Sequence, residues 1–348
     1  MPVSWFDLTE AQSADKAREL GLPAFRGRQI WHWLHKSLAS QYDEMTNLPL
    51  SLRERLQKEM PIFSIRPVQV QRSVLDDTVK YLFELEDGSL IESVLMHYHH
   101  GYTVCVSSQV GCRMGCRFCA STLGGLERDL SAGEMLQQVY VIEREEKIQV
   151  SHIVVMGCGE PFDNYDEVMR FLSILHAPEG QNMSFRNMTV STCGLLDGLK
   201  RFTEEDIPVT LAISLHAPND DIRKQLMPIA NRVAMDDLLE ACRAYTRKSG
   251  RRVTFEYALV KGVNDSEENA RELARRLKGL LCHVNLIPVN PVAERGLAGP
   301  ERSQVQRFEK VLNEEQIPVT IRRELGRDID GACGQLRRRH RTEMEAIG

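Results

Sequence analysis

Cys112-Arg-Met-Gly-Cys116-Arg-Phe-Cys119 offers three thiolates from one short loop. A closed zinc site takes four ligands, and so does an all-thiolate iron–sulfur cluster. A cubane held by three cysteines leaves one iron open to a small molecule. The same residues also fit a redox-active cysteine pair or the visible half of a zinc site, although no second C-x2-C or H-x3-H stands nearby to complete one. Gly111 and Gly115 permit tight backbone turns between the ligands.

Other unusual residues cluster where apolar runs end: Gly157-Cys158-Gly159-Glu160-Pro161, Ser191-Thr192-Cys193-Gly194, Ser214-Leu215-His216 and Pro288-Val289-Asn290-Pro291. Any one of these could be turn chemistry alone, since Gly, Pro, Ser and Asn dominate turns. Their repetition around a cysteine loop points to a site. Glycines 157 and 159 allow backbone to approach a ligand, and Glu160 suits an ammonium group.

The runs that end in these segments are Tyr102–Ser108, Ser151–Gly157, Asn187–Thr192, Val209–His216, Val253–Leu259, His283–Val289 and Pro318–Arg322. Helical patterns fall between them: Ala132–Lys147, Tyr165–Leu175, Leu196–Phe202, Met235–Ser249, Ser266–Leu277 and Arg302–Glu315. The alternation predicts an α/β fold whose parallel sheet curls into a full or partial barrel, with chemistry at the C-terminal strand ends. In Val209–His216 and Tyr102–Ser107 one face is polar or small, unlike an ordinary helix-covered sheet. That pattern predicts a lumen that holds a ligand. Before the barrel, Lys80–Glu86 and Ser89–Leu95 flank Asp87-Gly88 and read as a hairpin. Earlier still, Thr9–Leu20, Gly27–Leu38 and Pro49–Met60 read as helices. On the second, Ile30, Leu34 and Leu38 form a stripe. Arg28, His32 and Lys36, bordered by Trp31 and Trp33, form a ridge that is either solvated or a grip for RNA.

The chain has 348 residues, 42% hydrophobic and 27% charged, with a formal net charge of −5. These values suit a globular enzyme and exclude bulk electrostatic attraction to nucleic acid, but not a local basic face. No apolar run approaches the ~18 residues of a membrane span, and Met1–Glu10 lacks a signal pattern, so no membrane is expected and the expected location is cytoplasmic. Nine cysteines in such a chain fit thiolate ligands in a reducing compartment better than a secreted disulfide scaffold.

The Cys112–Cys119 spacing, with Phe118 before the last ligand, resembles the radical S-adenosylmethionine signature, and Gly159-Glu160-Pro161 resembles that superfamily's methionine-amine element. Cys105-Val-Ser-Ser-Gln-Val-Gly-Cys112 and Asp328-Ile-Asp-Gly-Ala-Cys333-Gly-Gln-Leu336 narrow the resemblance to the RlmN/Cfr family of ribosomal RNA methyltransferases, over nearly the whole chain. The resemblance implies a partial (β/α)6 barrel over residues 101–323 and a helical accessory region over 1–78 with a candidate RNA contact. It also implies a hairpin extension over 79–100 carrying Glu92, and a C-terminal loop and basic tail over 324–348 carrying Cys333.

By resemblance, Cys112, Cys116 and Cys119 hold a [4Fe–4S] cluster. Gly159, Glu160, Ser191, Ser214, Leu215, His216 and Asn290 contact S-adenosylmethionine, two molecules of which are used per turnover. Cys333 becomes S-methylated, Cys105 resolves the intermediate through a transient disulfide with it, and Glu92 is the proton acceptor. The implied reaction is methylation of C2 of an adenine in 23S rRNA, and of an adenosine in transfer RNA, with flavodoxin or ferredoxin as electron donor.

Plainer readings stand beside these. Buried cysteines are commonly inert, so Cys105 on a strand reads by default as core, as do Cys242 and Cys282. Glu92, between Leu90 and Val94, is either an edge gatekeeper or a desolvated carboxyl suited to proton abstraction. The Arg337–Arg341 run is a solvated tail or a phosphate contact. Two positions depart from the family pattern: Cys158 replaces the usual Met, and Cys193 an often small residue. The competing functions are methylation of C8, as in the sister branch of the family, and a non-catalytic zinc or RNA-binding protein.

Overall fold

The apolar and polar faces of the strands expected from the sequence fall on opposite sides of one curled sheet. The computed structural model describes residues 4–289, 296–323, 325–329 and 334–340. Three helices lead: α1 (Glu10–Glu19), α2 (Ala24–His35) and α3 (Leu50–Glu59). Then come β1 (Arg66–Arg72), β2 (Val79–Glu84), β3 (Leu90–Tyr98) and β4 (Gly101–Cys105), each antiparallel to the one before. A small antiparallel pair, β5 (Gln109–Gly111) and β6 (Leu126–Asp129), brackets the cysteine loop.

The barrel continues through α4 (Ala132–Glu146), β7 (Val150–Val155), α5 (Tyr165–His176), β8 (Met188–Thr192), α6 (Leu196–Glu204), β9 (Thr210–Ser214) and α7 (Asp220–Leu226). It closes with α8 (Met235–Ser249), β10 (Val253–Leu259), α9 (Glu267–Leu277), β11 (Cys282–Pro288), α10 (Arg302–Glu314) and β12 (Val319–Ile321). Among the described residues the main sheet has ten strands in the order β1-β2-β3-β4-β7-β8-β9-β10-β11-β12, parallel from β4 onward. This is the expected α/β partial barrel with a small helical region in front.

Residues such as Ile153, Val190, Leu211, Ile213, Phe255 and Leu286 are buried in one apolar cluster that extends from Trp5 to Ile317. Their alternating neighbours make the lumen. Ser214, Glu256, Asn285 and Thr320 stand side by side across β9–β12 in register. Asn285 Nδ2 donates to Glu256 (2.8 Å), and the Thr320 hydroxyl donates to Asn285 Oδ1 (3.3 Å). The polar lumen read from the sequence is present.

Several details differ from the sequence reading. Strand β1 lies within the stretch read as helical; its Arg-Pro-Val-Gln-Val-Gln-Arg sequence is half exposed and makes the sheet edge, where Pro67 is tolerated. Helix α2 begins before Gly27, and a Cβ on Gly27 would lie 2.0 Å from Ser13 O. That glycine therefore permits the close crossing of α1 and α2 and does not start the helix. Trp31 does not edge a surface ridge: it is buried, and its indole N–H donates to Leu8 O (3.0 Å). Arg28, His32 and Lys36 are exposed, as read.

The helical region docks on the barrel through His35, whose Nδ1 lies 3.0 Å from the Tyr140 hydroxyl of α4. Burial pushes its imidazole down to about 3, whereas in an unfolded chain it protonates near ~6.5. Between these values the unfolded state binds the extra proton, so stability falls on acidification. We expect the unfolding free energy from urea titration to drop between about pH 6.5 and pH 4, by up to ~1.4 kcal/mol per pH unit from this residue. His35→Gln should flatten that dependence; an unchanged slope would show that the residue contributes nothing to it.

Candidate active site

The cysteine loop leaves the barrel at β5, and its shape is set by backbone contacts. Cys112 N–H donates to Gly125 O (2.8 Å), Cys119 N–H to Cys116 O (3.2 Å), and the Thr122 hydroxyl to the carbonyls of Cys116 and Cys119. Gly111 sits at φ +78°, and a Cβ there would lie 2.0 Å from Gly125 O. Gly111→Ala should therefore cost ~2 kcal/mol or more and loosen the loop, seen as a lower urea midpoint and reduced iron content on reconstitution. An unaffected variant would mean that the loop's shape does not depend on this turn.

Cys112 and Cys116 are buried, Cys119 partly so. Burial pushes the Cys112 thiol up to about 12 and Cys116 also up, and Cys119 adds like-charge repulsion to both. Such thiols become thiolates when a positively charged group sits among them, so the donor set fits a thiolate-bound cluster. Among the described residues no three or more His, Cys, Asp or Glu side chains lie close enough together to grip a single metal ion.

The other strand ends meet this loop. Gly159, at φ +115°, brings its backbone against Ser108 and Gln109, where a Cβ would lie 2.6 Å from Ser108 Oγ. Glu160 is buried and accepts from the Phe162 (3.0 Å) and Cys193 (2.7 Å) amides; burial raises its pKa. These donors are neutral, so an ammonium group would offset its charge. Ser191 lies on β8 and Ser214 ends β9; Leu215 and His216 follow, their N–H groups donating to Glu256 O (3.1 and 3.2 Å). His216 holds φ +56°, accepts from Ala258 N–H through Nδ1 (2.9 Å), and meets Phe118 edge-on at 4.5 Å. Burial and Arg223 hold this imidazole neutral, at about 3. Asn290 and Cys333 lie outside the described residues.

Glu92 and Cys105 belong to the opposite wall. Cys105 on β4 pairs with Val94 on β3, so Glu92 projects from the same face two residues away. Both are buried. Glu92 accepts from Gly334 N–H (2.7 Å) and Arg337 N–H (2.6 Å), and Lys80 Nζ lies 2.9 Å from it. Gly334 also abuts the cysteine loop: a Cβ on it would lie 2.5 Å from Ser121 N. The residue after Cys333 thus bridges Glu92 and the loop. Residues 335–340 form a helix where a tail was expected, and the Arg337 guanidinium pairs with Glu127 of β6.

Sequence reasoning missed Lys80, Glu256 and Arg223. All three are buried charged residues, and in a sequence they look like surface. Arg223 of α7 donates to Cys193 O (2.8 Å) and lowers the Cys116 pKa. The signal for Lys80 was an alternating hairpin; both faces of β2 are in fact covered. Cys158, Cys193, Cys242 and Cys282 are buried, and nothing in the structure explains the departures at 158 and 193.

Residues 106–274 match the model of the radical SAM superfamily, and residues 3–62 match the ribosomal RNA large subunit methyltransferase N-terminal domain. A probable dual-specificity RNA methyltransferase RlmN of Lachnospira eligens is 52% identical, over 94% of this chain and 93% of its own. Its counterpart in Alkaliphilus metalliredigens is 50% identical, over 99% and 97%. The chain belongs to the RlmN family. The crystal structure of a radical SAM methyltransferase from Sphaerobacter thermophilus matches with a TM-score of 0.93 at 48% identity, covering 96% of this chain and 99% of that one. RlmN membership sets aside the non-catalytic alternative and implies a [4Fe–4S] cluster and S-adenosylmethionine. No helix among the described residues is long and apolar enough to cross a membrane.

Proposed function

We propose that this chain methylates C2 of an adenine in 23S rRNA, and an adenosine of transfer RNA, in the cytoplasm. The observation that carries the reading is the position of Gly334, the residue next to Cys333, between Glu92 and the cysteine loop. Cys112, Cys116 and Cys119 would hold the cluster, and Gly159, Glu160, Ser191, Ser214, Leu215, His216 and Asn290 the S-adenosylmethionine. When bound, these groups supply the methyl carbon and the radical that activates it.

The protein's own residues do the rest. Cys333 carries the methyl group on sulfur, so carbon reaches an electron-poor ring position that would not attack a sulfonium methyl. Glu92 takes the C2 proton. The Cys105 thiolate attacks the Cys333 sulfur, so that an S–S bond forms while the S–CH2 bond to the base breaks. The electron pair goes to the departing methylene carbon, which takes a proton and becomes the product methyl group. The target base must leave its stack to enter. A flavodoxin or ferredoxin would supply electrons.

The test is an anaerobic assay with S-adenosylmethionine, a reductant and either an rRNA fragment or transfer RNA, scored by mass spectrometry of the digested RNA. The reading expects 2-methyladenosine from both substrates. Formation of 8-methyladenosine alone would replace it with the C8 reaction.

A further inference from the structure

Lys80 is fully buried in β2 at 0% exposure, on the luminal face that carries Glu92 of the neighbouring strand. A buried lysine is costly to desolvate, and an apolar pair often packs as well or better. Its presence inside a hairpin therefore asks for a use. The geometry supplies one. The carboxylate oxygen that Lys80 Nζ approaches at 2.9 Å also accepts from Gly334 N–H, and the other oxygen accepts from Arg337 N–H.

Further polar groups face this carboxylate's surroundings. Cys105 comes from β4. Arg337, from helix 335–340, turns its guanidinium to Glu127. The Ser107 hydroxyl donates to the Glu92 carbonyl (2.6 Å). Lys80 Nζ lies 2.9 Å from the Glu92 carboxylate.

We infer that Lys80 is the positioning residue of the proton-accepting step: its buried Nζ, 2.9 Å from the Glu92 carboxylate, keeps that group turned towards the backbone amide of Gly334. The inference rests on the reading of Glu92 as base and deepens it. In that step the C2–H bond breaks, its proton passes to a Glu92 oxygen, and the electron pair stays with the ring. The contact at this distance keeps the carboxylate from turning away. The same carboxylate holds the amides of Gly334 and Arg337, so one charge pair sets both the base and the start of the 335–340 helix.

The full-length protein is reconstituted anaerobically and given S-adenosylmethionine, a reductant and an rRNA fragment, as wild type, Lys80→Met, Lys80→Gln, Lys80→Arg and Glu92→Gln. Cluster absorbance and the mass of the Cys333 peptide report loading and S-methylation; a denaturing gel reports the covalent protein–RNA adduct. For Lys80→Met and Lys80→Gln we expect normal absorbance and S-methylation, but adduct that accumulates and resolves at least ~10-fold more slowly. Lys80→Arg should restore most of the resolution rate. Wild-type resolution in both neutral variants, or an arginine variant as slow as they are, overturns the inference and leaves Glu92 as base untouched. Absence of adduct in Glu92→Gln overturns the base assignment itself, and the role of Lys80 with it.

Discussion

Cys333→Ala should form no methylated adenosine, a loss of ~10⁴-fold or more, while its cluster absorbance stays at the wild-type level. The expectation follows from the carbon's route. On the proposed reading, with no sulfur at this position nothing holds the methyl group beside the base. The variant should also fold, because the bonds that dock the following helix come from the backbone amides of Gly334 and Arg337. Cys105→Ala is the informative contrast: the proposed methyl carrier is present but the proposed resolving thiol is not, so protein and RNA should remain joined. Product from the Cys333 variant, measured by mass spectrometry of digested RNA, would end its role as carrier.

Equally large is the effect expected of Cys116→Ala, for a different reason. This cysteine is the middle one of the three proposed ligands; it is buried, and its carbonyl accepts from Cys119 N–H and the Thr122 hydroxyl. An alanine leaves the backbone in place and removes one thiolate of three. The broad iron–sulfur absorbance should vanish on reconstitution, with activity falling ~10⁴-fold or more. A variant that keeps both its inorganic sulfide and its turnover would mean that the cluster is held elsewhere.

Much of this architecture is legible from local patterns. The β/α alternation and the polar residues at successive strand ends follow from spacing, which survives in a linear chain. So did the polar face of the lumen, since Ser214 and Thr210 alternate visibly with Leu211 and Ile213. The edge strand Arg66–Arg72 was not legible, because its pairing with β2 stabilises it and its own composition does not. The three-residue strand Gln109–Gly111 forms only with β6 across the cysteine loop. Trp31 was misplaced because a stripe border cannot be told from a stripe centre until α1 and the Leu8 carbonyl are packed against it. Lys80 and Glu256 were missed because charge in a sequence carries no mark of depth, and their burial depends on strands and segments far along the chain.

The shared interior of α1–α3 and the barrel constrains how RNA contact should be dissected. Trp5, Phe6 and Trp31 lie in the same apolar mass as the inner faces of the strands, and Tyr140 of α4 touches His35 directly. Deleting the first sixty or so residues would strip the outer wall of α4 and bare a greasy scar, so lost methylation in a truncated protein would report injury, not lost recognition. Charge reversals at Arg28, His32 and Lys36, which stand clear of that interior, are the cleaner instrument.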